Sequence, residues 1–445
     1  MDYRGTRAAI LTALIVGGAG RAQSAPEVIA FTHVNVVPMD RARILFDQTV
    51  IVKGQTIDSI GPAESTPVPE GARQIAGQTR RFLVPGLSDM HVHLYYDGDL
   101  LSYLASGVTT VRNMRGQPRH LAWRERVARG ELPGPTVYSA GPTLGGPGDQ
   151  FTVVRTRAEG ERAVREQKKA GYDFIKVYDS LPADAYQGLL AAARHQQMRV
   201  AGHIPAAVGL LGALKAGQAS IEHAEQFVYH YFGHDFDETR IPLVAVATKK
   251  AGAYVCPTMS IIENYVQQVE DKEKLFARPE IQYANPEVIA WWRSQKKETA
   301  EENKLIARFQ RKLVKALQDA GVPLLAGTDT HAIGLVPGFS LHRELQSMKA
   351  AGLTSFEVLR AATRNAGEFL GGGFGVVAAG KRADLLLLEG NPLDDLENLN
   401  RRVGVMARGQ WFAAEKAKQM MDGLATEYRG ATENGAKRLS PDAGS

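Results

Sequence analysis

The sequence predicts an α/β fold: a (β/α)8 TIM-like barrel carrying a composite β-sandwich built from both ends of the chain. Three observations lead there. The middle of the chain alternates apolar β-rich runs with helical stretches, giving eight β-then-α units over roughly 280 residues, the number and length such a barrel needs. Short β-branched runs separated by turn signals fill the region before it, and matching runs return near the other end. No Gly-rich phosphate loop follows any strand, so a doubly wound open sheet lacks support.

At 445 residues the chain is too long for one small core. Its divisions are expected at 1–25 (export signal), 26–84 (first part of the sandwich), 85–377 (barrel), 378–412 (second part of the sandwich) and 413–445 (helix and tail). The first of these has basic Arg4 and Arg7, an apolar run from Ala8 to Val16, then small residues through Gly20, Ala22 and Ser24. That is the three-part form of a secretory signal peptide, and its apolar run is too short for a comfortable membrane span. A periplasmic or secreted destination is expected, with no stable membrane span once the signal is removed.

Composition narrows the chemistry. Hydrophobic content of 44% and charged content of 23% are those of an ordinary globular protein. A net charge of +5 without a dense Lys/Arg stripe argues against a nucleic-acid partner. One cysteine, Cys256, excludes an internal disulfide and a cysteine-built zinc ribbon. Any metal must therefore be held by His, Asp, Glu or Lys, and 11 histidines are available.

Taken in order, Val28–Phe31, Val34–Val37, Thr49–Val52 and Ile57–Gly61 read as antiparallel strands of a small β unit, with Asp384–Leu388 and Val403–Gly409 as their counterparts. The apolar stretch from Leu83 ends in His91-Val92-His93 and forms the first barrel strand. Val108–Asn113, Pro135–Ala140, Phe174–Tyr178, Val200–His203, Ser220–His223, Tyr254–Pro257 and Val322–Thr328 supply the others. Helices are expected at Arg157–Ala170, Ala183–Gln197 and Ala206–Ala216. Between Glu263 and Ala320 a polar helical stretch with Trp291 and Trp292 breaks the rhythm. It reads either as a lid or dimer contact, leaving a homo-oligomer open, or as an enlarged helical layer.

Function in a barrel gathers where strands end. On a strand, residues i and i+2 share a face, so His91 and His93 present two imidazoles side by side. The other strand ends carry Lys176, His203 and His223, with Asp329 just past the last. Singly, each has a bland reading: a half-exposed pair at a loop entrance, a hydrogen-bonded structural histidine, a helix cap. In one ordered set they point to a metal site. Lys176 has two readings on its strand. A neutral amine there can react with carbon dioxide to form a metal-bridging carbamate, or the ammonium can snorkel outward.

These residues lie in motifs that resemble the metal-dependent amidohydrolase superfamily, in its branch of imidazolonepropionase-like and Xaa-Pro dipeptidase or carboxypeptidase-like enzymes. The motifs are Val84–His93, Gly107–Arg112, Phe174–Tyr178, Ser220–His223, Gly327–Asp329, Ala361–Ala366 and Gly380–Leu385, spanning nearly the whole chain after the signal. The resemblance implies a TIM-like barrel with a composite β-sandwich. It implies that His91, His93 and Asp329 hold one divalent metal ion, zinc by first choice, and that His203 and His223 hold a second. Carboxylated Lys176 and a hydroxide would bridge the two. Imidazolonepropionase itself is similar in outline but uses one metal and has no such lysine, so Lys176 favours the binuclear branch.

The implied reaction is hydrolysis of an amide or peptide C–N bond in a dipeptide, N-acyl amino acid or similar small amide. Asp329 would be the catalytic proton carrier. The stretch from Ser139 to Gln150 lacks the histidine that peptidase relatives often carry in a Gly-Gly-His element, which weakens a simple transfer of dipeptidase specificity. Tyr178, His230, His234 and His331 are candidate substrate-orienting groups. Trp291 and Trp292 are candidates for an aromatic wall, with core packing as the plainer role. The rival readings are a mononuclear cyclic-amide hydrolase or deaminase, and an inactive relative acting as a binding protein.

Overall fold

The computed structural model describes residues 27–233, 235–295 and 300–438. The expected export segment 1–25, His234 and the last tail residues lie outside them.

The chain has a mixed α/β fold. Its two ends join in one eight-stranded sheet, ordered Gln410–Ala413, Arg402–Ala407, Leu385–Leu388, Phe82–Pro85, Val28–Val36, Leu45–Lys53 and Thr56–Pro62, with Arg73–Ala76 also on Val28–Val36. The seam between the ends is antiparallel, Leu386 opposite Val84 and Leu387 opposite Leu83. The run of four leucines is explained by burial on both faces. Leu385 and Leu387 enter the sheet's cluster with Phe31, Val36 and Met406, while Leu386 and Leu388 face the main core. The sheet is not wholly antiparallel as expected, because Val28–Val36 pairs in parallel with both Arg73–Ala76 and Phe82–Pro85.

At Gly86 the chain leaves this sheet. Its N–H donates to the Asp384 carbonyl at 2.8 Å. A Cβ there would stand 2.3 Å from Thr109 Oγ1, so the close approach of Thr109 requires glycine. The expected single stretch from Leu83 to His93 is therefore two strands, one for each sheet.

Leu87–Val92, Val108–Asn113 and Thr136–Ser139 pair in parallel, as do Phe174–Val177, Arg199–Gly202, Ser220–Glu222 and Tyr254–Cys256. Isolated parallel bridges join Ala140 to Phe174, Val255 to Leu324 and Thr330 to Val92. Helices cross between them, including Arg157–Ala170, Ala183–His195 and Gly209–Lys215. Arg157–Ala170 is capped by the Thr156 side chain and closed by left-handed Gly171.

The expected strand Val322–Thr328 is not regular. Backbone bonds to the neighbouring strands persist, Leu325 N to the Val255 carbonyl and Thr328 N to the His91 carbonyl, but the Asp89 carboxylate competes for Thr328, accepting from its N at 3.1 Å and its Oγ1 at 2.8 Å. The strand expected to end at His223 stops one residue earlier, because His223 has φ 71° and extended pairing cannot continue through it.

The described residues of the 263–320 segment fold into several helices, ending with Ala300–Asp319. Trp292 is fully buried among Leu275, Ile281, Val288, Ile333 and Val336, whereas Trp291 is half exposed. The segment is thus packed onto the residues that follow Asp329. The helix Ala414–Arg438 returns across the helix Asp97–Ala105, packing Met421, Leu424 and Tyr428 on Leu101 and Phe339.

Candidate metal centre

The strand ends place most of the expected residues in one buried cluster. His91 Nε2 and His93 Nε2 lie 3.2 and 2.7 Å from Asp329 Oδ1. The His223 ring stands 4.5 Å from that of His91 and 4.7 Å from that of His203, between centroids. Two of these positions have left-handed backbone, His223 at φ 71° and Asp329 at φ 59°. Such geometry costs about 1–3 kcal/mol per residue and persists only where the surroundings enforce it. Here His223 N donates to the Cys256 carbonyl at 2.8 Å, and Asp329 N to the His91 carbonyl at 2.7 Å.

Three of the imidazoles have Nδ1 taken by an oxygen. His91 Nδ1 is 3.0 Å from Glu222 Oε2, His223 Nδ1 is 2.7 Å from Thr258 Oγ1, and His203 Nδ1 meets Asp179 Oδ1. Carboxylates only accept, so Nδ1 of His91 and His203 carries the hydrogen and Nε2 keeps its lone pair. This is how a ligand histidine is oriented. Despite their close approach, His91 Nε2 and Asp329 Oδ1 make no hydrogen bond of regular geometry, and Lys176 Nζ is likewise buried without a partner. Buried polar atoms without partners are costly, and a shared cation would satisfy the first two. The donor set therefore fits a divalent metal.

The electrostatics agree. Burial lowers His93 and His223, and lowers His203 to about 4, with Lys176 adding to the last. These shifts favour the neutral ring, the form a metal ligand needs. Burial pulls the Lys176 amine down to about 8, opposed by Glu222 and Asp329. Burial pushes Asp329 up, but His91 and His93 outweigh it and hold the carboxyl well below its usual range.

Beneath the cluster is a charged support that sequence reasoning missed. The Arg112 guanidinium donates from Nη2 to both Glu222 oxygens at 2.7 Å, from Nη1 to Ser220 Oγ at 3.0 Å and from Nε to the Met90 carbonyl at 2.5 Å. Burial raises the Glu222 carboxyl, yet Arg112 and His91 hold it below its usual range. The available signal was a charge inside each of two apolar runs, since a buried charge must be paired. Asp179 and Thr258 gave no such signal, because turns and helix starts are full of such residues.

The substrate-side candidates separate. The Tyr178 ring lies 4.3 Å from that of His203, at the edge of the cluster. His230 sits one rank behind, its Nε2 3.8 Å from Asp179 Oδ2. His331 turns away to Asp99, Nε2 to Oδ2 at 2.9 Å, and stacks on Tyr95. Trp292 Nε1 donates to the His331 carbonyl at 3.0 Å, so this tryptophan supports the site from the core. Among the described residues no helix is long and apolar enough to cross a membrane.

Comparison with known proteins adds the following. Ochratoxinase of Aspergillus niger is 26% identical over 71% of this chain and 72% of its own length. Bottromycin amidohydrolase superposes with a TM-score of 0.75 at 24% identity, covering 91% of each chain. A Xaa-Pro dipeptidase with bound methionine gives 0.68 at 21% identity, covering 87% of this chain and 100% of that one. The structural likenesses speak for the fold alone. Residues 82–412, which include every residue of the cluster, match the amidohydrolase family, and the chain belongs to that family.

Proposed function

We propose that this hydrolase of C–N bonds is a binuclear metal-dependent enzyme on a (β/α)8 barrel, cleaving the amide or peptide bond of a dipeptide, N-acyl amino acid or similar small amide. The observation that carries this reading is the clustering of four histidines with Asp329, to which the buried, partnerless Nζ of Lys176 is electrostatically coupled. His91, His93 and Asp329 would hold one cation, and His203 and His223 the other, with Lys176 carboxylated between them. Zinc suits His and carboxylate ligands best, and manganese or cobalt are also compatible.

When bound, such cations polarise the scissile carbonyl and make water a competent nucleophile near neutral pH. The chain's own residues do the rest. Asp329 takes the proton released by the attacking water on a carboxylate oxygen and delivers it to the leaving nitrogen, which departs as a neutral amine. Lys176, kept partly neutral by burial, adds through Nζ to carbon dioxide. One N–C bond forms as one C=O π bond of carbon dioxide breaks, one proton is released, and the neutral amine becomes an anionic carbamate that would suit cation binding. Glu222 and Asp179 fix the rings of His91 and His203. The export segment would place the reaction in the periplasm or outside the cell.

His91, His93 and Asp329 offer ligand atoms all within 4.8 Å of one another, and among the described residues no such group forms around His203 and His223, which favours a mononuclear amidohydrolase as the second reading. The test of function is a panel of N-acyl amino acids and dipeptides on metal-reconstituted protein. Hydrolysis of at least one class with release of a free amine is expected. No turnover on any member with both metals loaded would instead support a binding protein.

A further inference from the structure

Arg115 stands just past the strand Val108–Asn113, at the same end as the histidines. Its backbone is pinned. Its carbonyl accepts from Asn113 Nδ2 at 3.2 Å, and the next residue, Gly116, bonds to the Gly141 carbonyl at 3.1 Å. A Cβ on Gly116 would lie 1.8 Å from the Ala140 carbonyl oxygen, so this segment is wedged in place.

The side chain spans the two sides of the cluster. On one side the guanidinium carbon is 5.0 Å from the Phe151 ring centroid; Phe151 packs edge-on against Tyr178 at 4.6 Å, and Tyr178 lies 4.3 Å from His203. On the other it stands within reach of the Tyr95 hydroxyl. The Tyr95 ring lies parallel to that of His93 at 6.5 Å. Two aromatic files thus run from one guanidinium to the two sets of metal-site histidines. Arg115 is only partly exposed, and among the described residues no carboxylate lies within ion-pair distance of it. A half-buried guanidinium held by rings and a phenol keeps its fork of N–H donors for an anion from outside.

We propose that Arg115 is a specificity-determining residue that anchors the carboxylate of the amino-acid half of the substrate, with the Tyr95 hydroxyl as a supplementary donor. This rests on the amide-hydrolase reading and narrows it to N-acyl amino acids and dipeptides with a free carboxylate. Phe151 and Tyr178 form the apolar wall beside that carboxylate. The site therefore selects against the same molecules once their carboxylate is neutralised.

The experiment compares an N-acyl amino acid with its primary carboxamide on metal-loaded wild type, Arg115→Met and Arg115→Lys, following release of the acyl group. Charge-assisted bonds contribute about 1.5–3 kcal/mol, so wild type should prefer the carboxylate by roughly 10- to 100-fold in kcat/KM. That preference should collapse toward one in Arg115→Met, mainly through KM, and be partly restored in Arg115→Lys. Calorimetric binding of the N-acyl amino acid is measured in parallel, with thermal unfolding to show that the variants fold. An equal loss for both substrates, or an unchanged preference in Arg115→Met, overturns the assignment. If wild type hydrolyses nothing, the amide-hydrolase reading fails. The anchor then stands if Arg115→Met loses binding of the N-acyl amino acid, and falls if binding is unchanged.

Discussion

Glu222 Oε2 lies 3.0 Å from His91 Nδ1, and both side chains are fully buried. One carboxylate thus receives the Arg112 charge on one side and sets the tautomer of a proposed ligand histidine on the other. Glu222→Gln keeps an acceptor for Nδ1–H but leaves Arg112 buried without its counter-charge. Removing one partner of such a pair costs about 3–5 kcal/mol. Loss of the second support of a ligand typically weakens metal affinity about 10- to 100-fold. Chelator competition and denaturant unfolding of the variant should show both effects, and an unchanged metal affinity would mean that His91 is oriented by something else.

Asp329 sits within reach of two histidines and, in the proposed reaction, carries the proton. Asp329→Asn should lower kcat by about 10²- to 10⁴-fold, the usual worth of a positioned acid–base group. Metal content should be largely retained, because Asn still offers an oxygen. An unaffected kcat would remove Asp329 from proton transfer.

His120 predicts a pH effect on stability. Its Nδ1 accepts from Gln117 N at 2.9 Å and Asn113 Nδ2 at 3.0 Å, while Nε2 donates to the Leu94 carbonyl at 2.9 Å. A proton on Nδ1 would face two donors, and burial pulls the ring down to about 4. The folded value lies below the unfolded one, so this contribution is complete above about pH 6.5 and is lost as pH falls toward 4. Between pH 7 and 4.5, wild type should lose about 2 kcal/mol more stability than His120→Gln, which cannot titrate. Urea midpoints at the two pH values check it; parallel losses would exclude His120 as a source of acid lability.

Trp292 ties the inserted helices to the site through its bond to the His331 carbonyl. Trp292→Ala should cost about 3–5 kcal/mol as a large core truncation. Trp292→Phe should cost less, since it keeps most of the ring and gives up one hydrogen bond worth about 1 kcal/mol. Chemical denaturation of the pair measures this. Equal losses would mean that the indole N–H, and not ring packing, holds the segment.

The strand-end histidines were legible because alternation along a strand and the order of strands both leave marks in sequence. His91, His93, His203, His223, Lys176 and Asp329 come together for that reason. The double burial of Leu385–Leu388 was equally visible as a run without polar residues. What sequence left hidden were relations across the fold. Nothing local says that Arg112 reaches Glu222, 110 residues away, or that Asp89 holds Thr328, 239 residues away. His331 shows the opposite failure. It follows Asp329 closely enough to suggest the pocket, yet its ring is claimed by Asp99, whose position depends on the helix Asp97–Ala105.

Metal content per chain decides between a single ion and a pair joined through a modified Lys176. Protein reconstituted with zinc under ¹³C-bicarbonate should bind two ions per chain and show a carbamate carbon by NMR. Lys176→Ala should lose the carbamate and bind its second ion weakly or not at all. One tightly held ion per active chain, with Lys176 unmodified, would exclude the binuclear centre and leave the mononuclear reading in its place.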